Sequence, residues 1–349
     1  MRQWLIFGLL VLGCTTSISC SSFDTTDLQG AGATFPAPVY KRWFLEYYLK
    51  HPEIRVNYQA IGSGAGIRQF SSDLVDFGAS DAAMSDKDIA TAMQANPGRG
   101  GVLMLPVTAG SVIICYNVPG VPTGLKLSRQ VYADIFVGNI IVWNDPAIVA
   151  LNPGVSLPEL PITVVRRADS SGTTFVFTNH LAAISNGRFE QAVGKPGKSV
   201  GWPVSFIGGK GNAGVAALID QTPGSIGYLE FGYAELLNMP VATLENKAGR
   251  YVIASLETAQ AALSGLKLPA DLRLWITDPQ GENAYPIVTY TWILCWKDYG
   301  DKKEKAEALK KVLRYCLTDG QKFSAELGYI PLPSDVAVEV LQAVESIKP

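Results

Sequence analysis

Two histidines, His51 and His180, are all that this chain of 349 residues holds. So few leave little with which to build a metal centre or a serine–histidine relay, and no His/Asp/Glu cluster at metal-ligand spacing appears. Positive charge is not in excess either. Lys+Arg is 29 against 31 Asp+Glu, a net charge of −2, with no basic stripe of the kind a nucleic-acid surface needs. No G-x-x-x-x-G-K-[ST] segment occurs, which excludes a P-loop nucleotidase. There is no internal repeat and no low-complexity tract. No stretch is apolar over the roughly 20 residues that a membrane-spanning helix requires.

Cysteine is sparse, at five residues. Cys115 in SVIICYN and Cys295 in TWILCWK fall in strand-like apolar runs, the setting of buried free thiols. With Cys316 the body of the chain holds an odd number, so at most one internal pair could form, and Cys295 with Cys316 is the candidate.

The N-terminus carries one positive charge, Arg2, then an apolar run from Trp4 to Gly13. That run has the length of a secretory signal core and is too short to span a bilayer. Ser17 and Ser19 suit the −3 and −1 positions of a cleavage site, which makes residues 1–19 a signal peptide and Cys20 the first mature residue and a candidate for lipidation. Cys14, after Val11-Leu12-Gly13, is a second and poorer candidate, and a plain secretory signal is the alternative.

Glycine (34) and proline (21) are frequent, as tight turns demand. Between them, helical and strand periods alternate. Helices are expected at 39–51, 66–75, 87–95, 128–138 and 173–185, and strands at 54–62, 76–80, 103–118, 161–168 and 285–297. Positions 302–328 read as one long amphipathic helix and a shorter one. The alternation argues for an α/β architecture with open, mostly parallel sheets.

Three turn-to-helix junctions carry chemistry: GAGATFPAP (30–38), IGSGAGIRQF (61–70) and RRADSSGTTF (166–175). Helix N-termini offer N–H groups without partners and the favourable end of the helix dipole, and so attract oxyanions. Thr34, Ser63, Ser171 and Thr173 add hydroxyls. Arg167 can supply a fixed, forked positive charge, with Asp169 two residues on to hold it. Singly, each has a plainer reading: a helix cap for the Gly-Ser clusters, a surface ion pair for Arg167 and Asp169. DFGASDAAMSD (76–86) adds Asp81, either a cap for the segment that follows or an acceptor in an anion site. A carboxylate suits such a site only if the ligand still carries a proton, as hydrogen phosphate does and sulfate does not.

GAGATFPAPVY, the IGSGAG turn, VDFGASD, VVRRADSSGTTFVFT, GGKGN and PGSIGYLE together resemble the periplasmic phosphate-binding proteins of bacterial Pst phosphate ABC transporters, from about Leu28 to LGYIPLP (327–333). The resemblance implies a two-lobed periplasmic solute-binding (Venus-flytrap) fold with the ligand cleft between the lobes. It also implies a monomer that binds inorganic phosphate and hands it to a membrane permease. Carried over by motif, Thr34 and the Phe35 N–H, Ser63, Asp81, Arg167, Ser171, Gly172 and Thr173 hold the ligand, with Asp169 tethering Arg167. Two departures stand out: Ser170 occupies a position where glycine is common, and Gly64-Ala65 alters the Ser/Gly pattern after Ser63. Residues 28–108 with 255–349 are expected to form one lobe and 109–254 the other.

Two rival readings remain. A secreted phosphatase would use Ser171 or Thr173 as nucleophile, but it needs a base or a metal, and two isolated histidines supply neither. The same fold could serve another oxyanion. Asp81 opposes sulfate and molybdate, while arsenate, which also carries a proton, is opposed poorly. GGKGNAGVAAL (208–218) matches the dinucleotide fingerprint through Gly209, Gly211 and Gly214, but no βαβ unit with a ribose-binding acid follows, so no nucleotide cofactor is expected.

Overall fold

The computed structural model describes residues 25–349. The expected signal peptide, Cys14 and Cys20 lie outside the described residues. Eleven strands form among the described residues: β1 Thr26–Gly32, β2 Ile54–Ala60, β3 Phe77–Ser80, β4 Val102–Asn117, β5 Lys126–Leu127, β6 Thr163–Arg167, β7 Ile207–Gly209, β8 Ser225–Glu230, β9 Thr243–Glu245, β10 Tyr251–Val252 and β11 Val288–Trp296. Eight make one sheet in the order β2-β1-β3-β11-β4-β8-β6-β7, and β10-β9-β5 make a small second sheet.

The large sheet is mixed. Its flanks are parallel (β2-β1-β3 and β8-β6-β7), and its middle (β3-β11-β4-β8) is antiparallel. The long apolar run 103–118 becomes one continuous strand. It pairs with β11 as far as Ser111 and with β8 from Val112 onward. Pro106, which has no N–H to donate, sits inside this strand beside a register break opposite Thr291/Trp292, the kind of place where a sheet tolerates proline.

Helices follow the parallel strands and cover the sheet. Ala37–Lys50 buries Val39, Tyr40, Trp43, Phe44 and Tyr47 at helical spacing. The helix read from 66–75 begins earlier, at Ser63, and ends at Ser71. Gly172–Ile184 and Lys303–Leu317 lie where the periodicity places them. Strand β8 and the C-terminal helix Ser334–Glu345 were not among the expected elements.

Cys115, Cys295 and Cys316 are all buried and free, so the candidate Cys295–Cys316 pair does not form. Burial pushes the Cys295 thiol up to about 12 and the other two higher still, which keeps all three unreactive. No helix among the described residues is long and apolar enough to cross a membrane.

Trp43 ties the helix Ala37–Lys50 to the turn at Gly320. It is fully buried, stacks on Tyr40, and donates its indole N–H to the Gly320 carbonyl at 2.7 Å. Trp43→Ala should cost about 3–5 kcal/mol of stability, the usual toll for a buried tryptophan, while leaving ligand affinity close to normal. Denaturant unfolding and calorimetric titration of the same preparation check both halves of that expectation.

Candidate anion-binding site

The three turn-to-helix junctions converge. Each follows the C-terminal end of a strand: the Thr34-Phe35 turn after β1, the Ser63 helix start after β2, and the Arg167–Thr173 loop after β6. Asp81 follows β3 immediately and is buried, with 2 % of its surface exposed. It does not cap the helix Asp86–Ala95; Ser85 does, with a reciprocal bond to Asp88.

Arg167 is no surface pair. Only 4 % of it is exposed. Its Nε and Nη2 donate to the two Asp169 oxygens at 2.8 and 2.5 Å, and Nη1 donates to Thr173 Oγ1 at 3.1 Å. Burial works to raise the Asp169 carboxyl, but the Arg167 bonds and charge outweigh it and hold that carboxyl below its ordinary value. Ser171 does cap its helix, accepting from the Thr174 N–H at 3.1 Å through an oxygen whose own proton stays free.

Contacts between the sequence-distant junctions are close. Ser63 Oγ accepts from the Asp81 N–H at 3.2 Å. The Gly64 N–H donates to the Ser170 carbonyl at 3.0 Å. A Cβ on Gly172 would stand 2.5 Å from Ser63 Oγ and 2.8 Å from Asp81 Oδ2, so only glycine allows this approach. The two departures from the family pattern meet here. A Cβ on Gly64 would lie 2.1 Å from Ser170 Oγ, so the serine side chain fills the room that a glycine at 64 leaves.

Unspent hydrogens define the chemistry of the site. Among the described residues, the N–H groups of Phe35, Ser63, Gly172 and Thr173 have no partner. Thr34 Oγ1 accepts from Asn212 Nδ2 at 2.9 Å, and Thr173 Oγ1 accepts from Arg167, so both keep hydroxyl protons to give. Against this array stands one buried acceptor, Asp81. Thr291 Oγ1 donates to its Oδ1 at 3.0 Å, and Ser63 Oγ lies 3.4 Å from its Oδ2. Burial pushes the Asp81 carboxyl up to about 7, opposed by the Thr291 hydroxyl, the Arg167 charge and the Ser63 hydroxyl. Donors surrounding a single acceptor suit a tetrahedral oxyanion that carries one proton.

Several members of this arrangement escaped the sequence reading. Asn212 bonds Thr34 through its side chain and accepts from the Glu230 N–H. Gly211 donates its N–H to Asp169 Oδ1 at 3.0 Å. The fingerprint-like GGKGN loop thus braces the Arg167–Asp169 pair. Its resemblance to a dinucleotide loop has the same physical origin, because a Cβ on Gly209 would meet the backbone of Gly214 and Val215 at 2.6 Å. Tyr228 bonds Thr174, and Thr289 bonds the Asp81 carbonyl. Of the two, Thr289 lies in an expected strand, while Tyr228 belongs to β8, which was not among those expected. A cavity of about 420 Å³ lies beside the cluster, lined by Thr34, Asp169, Gly211 and Tyr233, with Lys41 and Lys210 on its walls.

The histidines take no part. His180 is buried with Nε2 2.8 Å from the Tyr132 hydroxyl, and burial lowers its ring to about 4. His51 is half-exposed beside Glu53. No metal-binding group of His, Cys, Asp or Glu occurs among the described residues.

Residues 21–319 match the PBP superfamily domain. The phosphate-binding protein PstS of Methanocaldococcus jannaschii is 39% identical over 93% of this chain and 87% of its own. That of Haemophilus influenzae is 40% identical over 90% and 91%. The chain belongs to the PstS phosphate-binding protein family. The family's two-lobed fold is seen in solved structures. A phosphate-binding protein from Stenotrophomonas maltophilia superposes with a TM-score of 0.73 at 21% identity, over 91% of this chain and 93% of its own. A high-affinity periplasmic phosphate-binding protein (PfluDING), solved with phosphate bound, gives 0.73 at 20% identity over 93% and 99%.

Gly172→Ala sets a methyl against Ser63 Oγ and Asp81 Oδ2 where the junctions meet, and should weaken anion binding by about 1–3 kcal/mol, roughly 5- to 150-fold, through overpacking. Small-angle scattering at saturating ligand should then show a more open particle than wild type, with the melting temperature of the ligand-free protein little changed.

Proposed function

We propose that this chain binds inorganic phosphate in the periplasm and delivers it to the transmembrane permease of an ABC importer. It is a binding protein and not an enzyme. The observation that carries the reading is the lone acceptor: Asp81 stands among unspent donors and takes the proton of hydrogen phosphate. Residues 28–108 with 255–349 form the first lobe and bring Thr34, Phe35, Ser63 and Asp81. Residues 109–254 form the second and bring Arg167, Ser171, Gly172 and Thr173, with Asp169 holding Arg167. The change of partner along β4, between Ser111 and Val112, supports a boundary within this strand, close to residue 108. Neither lobe can satisfy the anion alone, so ligand favours the closed form by its differential affinity, and closure excludes water. The closed shape is what the permease reads.

Calorimetric titration of the ligand-stripped protein tests this directly. Phosphate should bind one-to-one without turnover, arsenate should compete, and sulfate should give no heat at pH 8. Arg167→Ala should lose about 2–5 kcal/mol of phosphate affinity, roughly 30-fold or more, with the fold intact. Near-normal affinity in that variant would remove Arg167 from the site.

Asp81 gives the reading a pH signature. Its carboxyl, raised to about 7, is an ion above that pH and gains a proton as pH falls through it. The protonated form can donate to sulfate. Sulfate affinity should therefore rise between pH 8 and pH 6, and Asp81→Asn, which has donor hydrogens at every pH, should bind sulfate throughout. Sulfate rejection that is independent of pH and persists in Asp81→Asn would refute the role given to this residue.

A further inference from the structure

Two motifs, PGSIGYLE (223–230) and LGYIPLP (327–333), supply no group to the array of free donors, yet they meet directly behind it. Glu230 and Tyr329 are both completely buried. The Tyr329 hydroxyl lies 2.7 Å from the Phe35 carbonyl oxygen and 2.8 Å from Glu230 Oε2. Glu230 Oε1 accepts from the Gly232 N–H at 2.8 Å.

A phenol has one proton. The Phe35 carbonyl can only accept. If Glu230 were an anion, one of the two short contacts of the Tyr329 oxygen would set lone pair against lone pair, away from water, where an unmade hydrogen bond is costly. The hydrogens balance only if the carboxyl carries one of its own. We propose that Glu230 is a neutral carboxylic acid in the folded protein, and that its proton completes a chain from Glu230 through Tyr329 to the Phe35 carbonyl, which positions the Phe35 peptide and its free N–H at the anion cleft. Glu230 touches no ligand. It is a positioning residue, and the part of the inference that concerns binding rests on the proposed role of Phe35.

The surroundings agree. The helix Gly211–Gln221 offers Glu230 the neutral Asn212, the helix Phe231–Leu237 brings Tyr233, the 327–333 segment brings Tyr329, and Asp81 acts from the end of β3. None of these side chains is a cation. Arg167, which bears on Asp81 and Tyr233, is paired with Asp169. Burial pushes the Glu230 carboxyl up to about 8, and Asp81 adds to the rise against the Gly232 and Tyr329 bonds. The sign follows. A carboxyl raised above its unfolded value contributes fully below that ordinary value, and its contribution is lost as pH climbs through about 8. Asp81, already ionised by then, changes little over the same range.

The test has two arms on the mature, full chain. Infrared spectroscopy of the ligand-free protein at pH 7 should show a protonated-carboxyl carbonyl band that Glu230→Gln removes, that fades near pH 8, and that shifts in Tyr329→Phe as its hydrogen-bond acceptor is lost. Phosphate titrations from pH 7.5 to 9.5 should show wild-type affinity falling by up to about tenfold per pH unit above 8, the limit for one linked proton. The profile of Glu230→Gln, whose amide always has a hydrogen to donate, should stay flat over that range. A wild type with no band that Glu230→Gln removes, a band unmoved in Tyr329→Phe, or matching pH profiles in wild type and Glu230→Gln would each overturn the inference. The infrared arm uses no ligand, so a chain that shows the band yet binds no phosphate would sink the phosphate reading and keep the Glu230 proton.

Discussion

A guanidinium removed from water and already committed on one edge sets the terms for this site. Arg167 spends two of its donor nitrogens on Asp169, and Asp169 is in turn fixed by the Gly211 N–H. The pair as a unit is close to neutral. The anion is therefore met by oriented dipoles, N–H groups and hydroxyl protons together with one edge of a fork, and not by a pool of net positive charge. That economy allows a carboxylate, Asp81, to stand in the same shell. A site that relied on net positive charge would attract every oxyanion. One built from counted hydrogens can reject an ion that lacks the matching proton.

The fold places these hydrogens by a general property of α/β sheets: groups that leave the carboxyl ends of parallel strands gather on one edge. β1, β2 and β3 deliver Thr34, Phe35, Ser63 and Asp81. β6 and β7 deliver Arg167, the Ser171 cap and the Gly211 brace. The antiparallel middle of the sheet, β11 and β4, contributes support from beneath, most directly through Thr291 and Thr289 on Asp81.

Much of this was legible in the sequence, because the ligand-facing groups sit in short contiguous stretches whose local chemistry is self-announcing. A glycine turn, a hydroxyl and a helix start can be read without knowing what lies opposite. What escaped was contributed across the chain. Asn212 matters because Thr34 faces it from 178 residues away, and Thr291 because Asp81 faces it from 210. Both sit in segments whose own pattern says only helix start or buried strand. The run 103–118 reads as a strand but not as one shared between two halves of a sheet, since apolar periodicity does not say which neighbour a strand takes. Ser170 and Gly64 looked like unrelated irregularities until their mutual contact showed one filling the space of the other.

Strand β4 gives one stretch of backbone to both halves of the sheet. The Ser111 half keeps β11 as its partner and the Val112 half keeps β8, so within the large sheet the backbone of β4 itself is the join between the two groups of strands. Ligand preference can change residue by residue at the turn–helix junctions, where side chains vary without disturbing the strand that carries them.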